Sequence, residues 1–337
     1  MARFALVTLG MVALLFMGLA WGGPWALAAL LYITVFTFFM DKVTALAQVD
    51  HPGAEFPSGN GLSVVLALVH FPLLFGGVWR LGGDALTTLD KVLMFLALSL
   101  FFGQVSNSNA HELIHRSARG LRRLGVAVYA SVLFGHHASA HVRVHHVHAA
   151  TDADPNSARL GESFYAFAWR AWRGALREGY RAESRLRAGR GVHPYVWYGL
   201  GALASLGLAY ALGQGKAVLW LLGLSAYAQV QLFLSDYVQH YGLRRLLTPQ
   251  GKPEPVGPQH SWNAPHGFSS ALMLNAPRHS DHHARPARPY PGLEIDRHAM
   301  PILPQSLPVM AVLALVPPVW RRVMDKRAAR WAEPRPS

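Results

Sequence analysis

Six apolar stretches divide this chain, at roughly 4–22, 24–40, 61–79, 88–110, 194–213 and 216–240. About 20 apolar residues, rising about 1.5 Å each, span the ~30 Å hydrocarbon layer of a bilayer. The pattern predicts an all-α integral membrane protein with six transmembrane helices in one membrane domain covering residues 1–337. Gly22-Gly23-Pro24 and Gly213-Gln214-Gly215 are tight breakers, so the first two and the last two stretches read as hairpins. Charged residues make up only 15% of the chain, well below the share of about 25% in soluble domains.

The basic residues set an orientation. They concentrate in 116–123, 170–190 and 321–330, whereas the opposite loops carry little beyond Arg80, Lys91 and Lys216. The positive-inside rule then places both termini, and the segments 111–193 and 243–337, on the cytoplasmic side of a bacterial inner membrane. The net charge of +13 is read as this asymmetry, serving anionic lipid and an acidic protein partner, and not as nucleic-acid binding. Residues 1–20 end in Gly-Leu-Ala like a signal peptide, but the hairpin with the next stretch argues for a span. Leu124–Phe134 is too short to cross and reads as an interfacial or re-entrant helix. The run 302–319 holds four prolines and is not counted as a span. The chain has no cysteine, which excludes disulfides, thiolate zinc sites, iron–sulfur clusters and a fused rubredoxin-type centre. Any electron carrier with thiolate ligands must come from a partner.

Half of the 18 histidines fall in four short clusters: His111 and His115; His141, His145 and His146; His240; and His279, His282 and His283. Residues four apart share a helix face, so His111/His115, His141/His145 and His279/His283 are expected to pair on single ions. His146 and His282, turned by about one residue, reach toward a second ion. All four clusters fall on the same membrane face, which predicts a histidine-rich cytoplasmic cap holding two metals. Imidazole alone leaves iron, copper, nickel and zinc open. Glu112, Asp152, Asp154, Asp236 and Asp281 are candidates to accept from the ligands' outer N–H groups. Among the other histidines, His70 reads as a hydrogen-bonded packing residue. His136, His137, His260 and His266 read as supporting or structural, and His51, His148, His193 and His298 as loop residues.

His111-Glu112-Leu-Ile-His115 also fits the HExxH zinc-protease pattern with Glu112 as general base. That reading leaves the other clustered histidines unexplained. A non-enzymatic metal carrier or sensor is the other alternative of a different class.

NSNAHELIHR (107–116), HVRVHHVHAATDADPNSAR (141–159), GESFYAF (161–167), DYVQHYGLRR (236–245), HSWN (260–263) and RHSDHHARPARPYPGLE (278–294) together resemble the membrane-bound alkane monooxygenases. These are relatives of xylene monooxygenase and, more distantly, of membrane fatty-acid desaturases. The resemblance implies six spans and a catalytic di-iron centre. Its ligands would be His111, His115, His141, His145, His146, His240, His279, His282 and His283. It also implies insertion of one atom of O₂ into a terminal C–H bond, with electrons from NAD(P)H through a reductase and rubredoxin or a ferredoxin-type donor. Ala140 and Gln239 stand where glutamate is frequent in the family, and Val144 where glycine is common, so redox tuning and substrate stay open. A medium-chain n-alkane is the expected substrate. Aromatic methyl groups, terpenes and desaturation of a lipid chain are the alternatives within the superfamily. The hydrocarbon is expected to enter from the lipid; Phe36, Phe38, Phe39, Phe101 and Phe102 either line its path or simply pack.

Overall fold

A computed structural model describes residues 1–45 and 60–332; His51 lies outside them. The described residues are helical and irregular, with only two isolated bridges, Leu247 with Pro253 and Asn263 with Ile302. Five helices are long and apolar enough to cross a membrane: α1 (Ala2–Trp21), α2 (Gly23–Val43), α3 (Asn60–Gly82), α4 (Thr88–Ile114) and α8 (Pro194–His240). Between α4 and α8 lie α5 (Arg119–Ser131), α6 (residues 137–148) and α7 (Phe164–Arg187). After α8 come α9 (Gly267–Leu272), α10 (His279–Ala284), α11 (Leu307–Ala314) and α12 (Pro317–Ala332).

The α1–α2 hairpin turns at Gly22, whose φ of 64° favours a residue without Cβ. A Cβ there would also stand 2.8 Å from an Asp90 oxygen. That carboxylate accepts from Gly23 N at 2.7 Å and so caps α2, while Arg80 Nε donates to the Leu19 carbonyl near the end of α1 at 2.6 Å. Backbone groups at helix ends lack intrahelical partners, and here side chains of α3 and α4 supply them.

The 47 residues of α8 are not one rod. Gly213 and Gln214 have non-helical dihedrals, at the predicted breaker. A straight helix would hold residues 198 and 229 about 46 Å apart. Yet Gly135 packs directly against Tyr198, and Gln229 Nε2 donates to the nearby Val132 carbonyl at 3.1 Å. The two arms therefore fold back on each other. The run 302–319 is divided between the eight-residue α11 and the start of α12, in keeping with its prolines.

Two features place the site. First, α4 continues to Ile114, past the boundary expected at 110, because its polar residues are satisfied inside the bundle. Asn107 Nδ2 donates to the Ala228 carbonyl at 3.0 Å, and Asn109 Nδ2 to the Ser63 carbonyl at 2.9 Å. His111 thus rides on a long, anchored helix. Second, α7 buries a stripe of Phe167, Ala171, Ala175 and Gly179. Gly179 lets it lie close against Ala140 on α6. His70, as expected, is a packing residue, with ring nitrogens 2.5 Å from Ser106 Oγ and 2.8 Å from Ser131 Oγ.

Candidate metal centre

The rings of the nine clustered histidines gather into two nests. One holds His111, His115, His141, His146 and His282; the other holds His145, His240, His279 and His283. Within each nest one nitrogen from every ring lies within 4.8 Å of the others. Helices α6 and α10 contribute to both, α4 to the first only and α8 to the second only.

The pairing differs from the expected one at α6. His141 shares a nest with His146, five residues on, while His145 enters the other. Residues His141–His145 form a π turn, in which the repeat widens beyond 3.6 residues. On α10 the ordinary helical spacing holds: His279 and His283 share a nest and His282 turns into the other.

The donors fit metal ions. Nε2 atoms stand 2.7 Å apart for His111 and His141, 2.9 Å for His146 and His141, and 3.1 Å for His282 and His146. In the second nest His240 and His279 are 2.9 Å apart, and His283 and His279 3.1 Å. Nitrogens about 2.1 Å from one ion stand about 3.0 Å apart at right angles but about 3.4 Å apart in a tetrahedron. Spacings of this order let several rings of each nest reach one ion. His115 Nε2 in the first nest and His145 Nε2 in the second are buried with no hydrogen-bond partner. Such atoms are costly unless something binds them.

Electrostatics keep most of these rings neutral, as ligands must be. Burial pushes the His115 pKa down to about 4 and that of His279 to about 3. His145 is the exception. Burial works against its charged form, but the buried Asp154 carboxylate outweighs that and holds its pKa above the ordinary value. Asp154 Oδ2 meets His145 Nδ1 at 2.9 Å and accepts from Ser157 Oγ at 2.7 Å, while Oδ1 accepts from Asn156 N at 3.0 Å.

The other four carboxylates take different partners. Glu112 accepts from the Arg116 guanidinium and from Tyr290 N, the latter at 2.9 Å. Asp281 accepts from Arg285, from Arg288 Nη1 at 2.9 Å and from Glu294 N at 3.0 Å. Asp236 accepts from Asn156 Nδ2 at 2.6 Å. Asp152 is exposed, with Arg159 and Arg244 nearby. Among the described residues, only Asp154 of the five hydrogen-bonds a clustered ring.

Three further residues matter. His137 stacks on Phe134, and its Nδ1 is buried without a partner. Asn156 joins Asp154 to Asp236. Asn263 holds α10 in place: its Oδ1 accepts from Ser280 N at 2.9 Å and its Nδ2 donates to Ser280 Oγ at 2.7 Å. Asn156 and Asn263 both lie within the stretches that carried the resemblance, and that was their only signal. His260 pairs with Glu254 at 3.1 Å, His136 packs on Phe134 and Trp172, and His266 is half-buried outside both nests. His193 caps α8, with its Nδ1 accepting from Tyr195 N at 3.3 Å.

A 50 Å³ cavity touches both nests, through His111 and His141 of the first and His279 of the second. Gly103, Tyr129, Leu232 and Asp236 form other parts of its wall. A second cavity, of 370 Å³, lies among α2, α4, α8 and α11, with Ile33, Phe38, Leu100, Leu234 and Val312 on its walls. It borders Gln104 and Gln231, one residue from Gly103 and Leu232 of the smaller cavity.

Comparison with known proteins agrees with this architecture. The fatty acid desaturase family model matches residues 90–313, a stretch that contains all nine histidines. Alkane 1-monooxygenase 1 of Pseudomonas aeruginosa is 36% identical over 283 residues, covering 80% of this chain and 73% of that protein. The alkane 1-monooxygenase of Pseudomonas putida is 31% identical over 281 residues, covering 80% and 68%. The hydroxylase component of a Pseudomonas putida xylene/toluene monooxygenase is 28% identical over 249 residues, covering 70% and 63%. With imidazole nests of this kind at the ends of long apolar helices, the chain belongs to the alkane 1-monooxygenase family, within the broader fatty acid desaturase family, and is a membrane-bound, oxygen-dependent hydroxylase.

Proposed function

We propose that the protein is a di-iron monooxygenase that hydroxylates the terminal carbon of a medium-chain n-alkane. One observation carries this reading: two adjoining, carboxylate-poor imidazole nests border a small cavity beneath an apolar helix bundle. His111, His115, His141, His146 and His282 would hold one iron, and His145, His240, His279 and His283 the other. Bound iron supplies the one-electron chemistry that O₂ needs to attack an unactivated C–H bond. The reaction consumes the alkane, O₂, two electrons and two protons, and yields the alcohol and water.

The chain's own residues bind and position. The hydrocarbon enters from the lipid through the larger cavity, with Phe38 on its wall, and presents its end in the smaller one. Phe101 and Phe102 are core residues, whereas Phe39 is largely exposed and Phe36, partly exposed, packs on Tyr32 and Phe268. Gly103 lets α4 and α8 approach closely where the two cavities adjoin, since a Cβ there would clash with Gln231. Holding one carbon beside the nests in a dry cavity is the protein's contribution to rate. The two arms of α8 complete six crossings of a bacterial inner membrane, with both nests on the arginine-rich cytoplasmic face. Electrons arrive from NAD(P)H through a reductase and an external rubredoxin or ferredoxin-type donor, since the chain has no cysteine to hold such a centre.

The test is reconstitution. Full-length protein loaded with iron, then supplied with reductase, rubredoxin, NADH, O₂ and octane, should form 1-octanol, detected by mass spectrometry. Octene instead would mean desaturation, and hydroxylation of xylene but not octane would move the substrate to aromatic methyl groups. No product from alkane, alkylaromatic or terpene, with iron fully bound, would end the hydroxylase reading.

A further inference from the structure

The side of α6 turned away from the nests carries a second feature. Ala138, Ser139, Val142 and Arg143, which alternate with His137, His141 and His145, form one wall of a 720 Å³ groove. Five guanidinium groups border it: Arg119, Arg122 and Arg123 from α5, Arg143 from α6 and Arg187 from α7. The single carboxylate there, Glu183, is buried and already engaged. It accepts from Ser139 Oγ at 2.9 Å and lies 3.8 Å from Arg143 Nε and 3.5 Å from Arg187 Nε. Among the described residues, Arg119, Arg122 and Arg123 have no carboxylate partner. The groove thus has an excess of four positive charges, and Arg119, Arg122, Arg123 and Arg143 are all exposed.

Its floor is apolar. Ile114, Val126, Val142 and Trp197 line it together with the stems of the arginines. Ile114 ends one membrane-length helix and Pro194 begins another, so the groove lies where two such helices meet the polar segments. Trp197 is 60% exposed one turn into α8, as tryptophans are at a lipid–water boundary. A soluble anion would leave the apolar floor uncovered. An acidic protein would have to reach below the level at which the helices enter lipid. A phospholipid satisfies both halves, with its phosphate among the guanidiniums and its chains along the floor.

We propose that this groove is a binding site for an anionic phospholipid, of the phosphatidylglycerol type, with Arg119, Arg123 and Arg143 around the headgroup. Charge complementarity and depth both favour it, and basic pockets at membrane surfaces attract anionic headgroups. The bound lipid braces α6 from behind, on the helix whose other face supplies three histidines to the nests.

The experiment is native mass spectrometry of the full-length protein in detergent, with phosphatidylglycerol and phosphatidylcholine of identical acyl chains as probes and no electron carrier present. Wild type should retain phosphatidylglycerol preferentially, and the double substitution Arg119→Gln with Arg123→Gln should reduce that preference about 10- to 30-fold. Arg119→Lys with Arg123→Lys should keep most of it. Both positions are exposed, and unchanged helix content by circular dichroism with an unchanged elution profile in the variants controls for folding. Equal retention of the two lipids by wild type would overturn the proposal, as would a preference unchanged in the glutamine variant. So would a glutamine variant that keeps its lipid preference but, in a separate binding measurement with an acidic rubredoxin, loses affinity for that carrier, which would make the groove a protein-docking surface.

Discussion

The two nests are built by opposite means. The first gathers five rings, three of them only partly buried, and among the described residues no carboxylate hydrogen-bonds any of the five. The second gathers four rings, all buried, and ties His145 to the buried Asp154. A carboxylate on a ligand's outer nitrogen fixes the ring and raises its basicity. One nest thus relies on number of donors and the other on support behind them. The first also shows two rings, His111 and His141, to the small cavity, whereas the second shows only His279. The contrast therefore lies in donor number and cavity exposure on one side and in burial and carboxylate support on the other.

The sharpest way to break this contrast is to remove one ring from each side. His240 is fully buried at the end of α8, and His240→Ala leaves three rings in a nest with no spare. Bound iron should fall from two ions to about one and octanol formation by more than about 100-fold, beyond the loss typical of an outer partner. His115→Ala leaves four rings in the first nest and should retain most of its iron while slowing turnover. Elemental analysis and product formation on both proteins decide; equal iron loss would erase the asymmetry. A smaller effect is expected from Asp154→Asn, which keeps the shape but removes the charge behind His145. Iron affinity of the second nest should drop about 10- to 100-fold, with the first nest unaffected. Mössbauer spectra in which both irons change alike would count against separate support.

Much of this architecture could be read from the residues, and the exceptions have physical causes. The apolar runs located the long helices, because burial in lipid demands them. The end of α4 was hidden because Asn107 and Asn109 look like surface residues until Ala228 and Ser63 supply their acceptors. Histidine spacing placed nine rings on one end of the bundle, but a period of 3.6 residues could not anticipate the π turn that pairs His141 with His146. The carboxylates were the least legible. Arg116, Arg285 and Arg288 lie within a few residues of Glu112 and Asp281 and compete for them. Asp154 escaped such competition because Ser157 and Asn156 enclose it in a buried turn.

Glu112 gives the smallest expected effect and the most pointed test of whether the first nest stands without a carboxylate. In the sequence it occupies the general-base position of an HExxH pattern, one of the alternative readings, and is also a candidate to accept from a ligand's outer N–H. In the fold it follows His111 by one residue, so it points about 100° away around the helix. There it joins Arg116 to the backbone of Tyr290 and does not face the cavity. In Glu112→Gln the amide oxygen still accepts from Tyr290 N, but the partly buried Arg116 loses its counter-charge. Stability should fall by about 1–3 kcal/mol, the cost of weakening a buried polar contact. Iron content should remain whole, and octanol formation should stay within about threefold of wild type, since ΔG‡ would move by less than 1 kcal/mol. Thermal unfolding, elemental analysis and initial rates on one preparation separate these outcomes. A variant that keeps its iron but no longer turns over would show that the five-ring nest does need an acid beside it, and would collapse the distinction between the two halves of the centre.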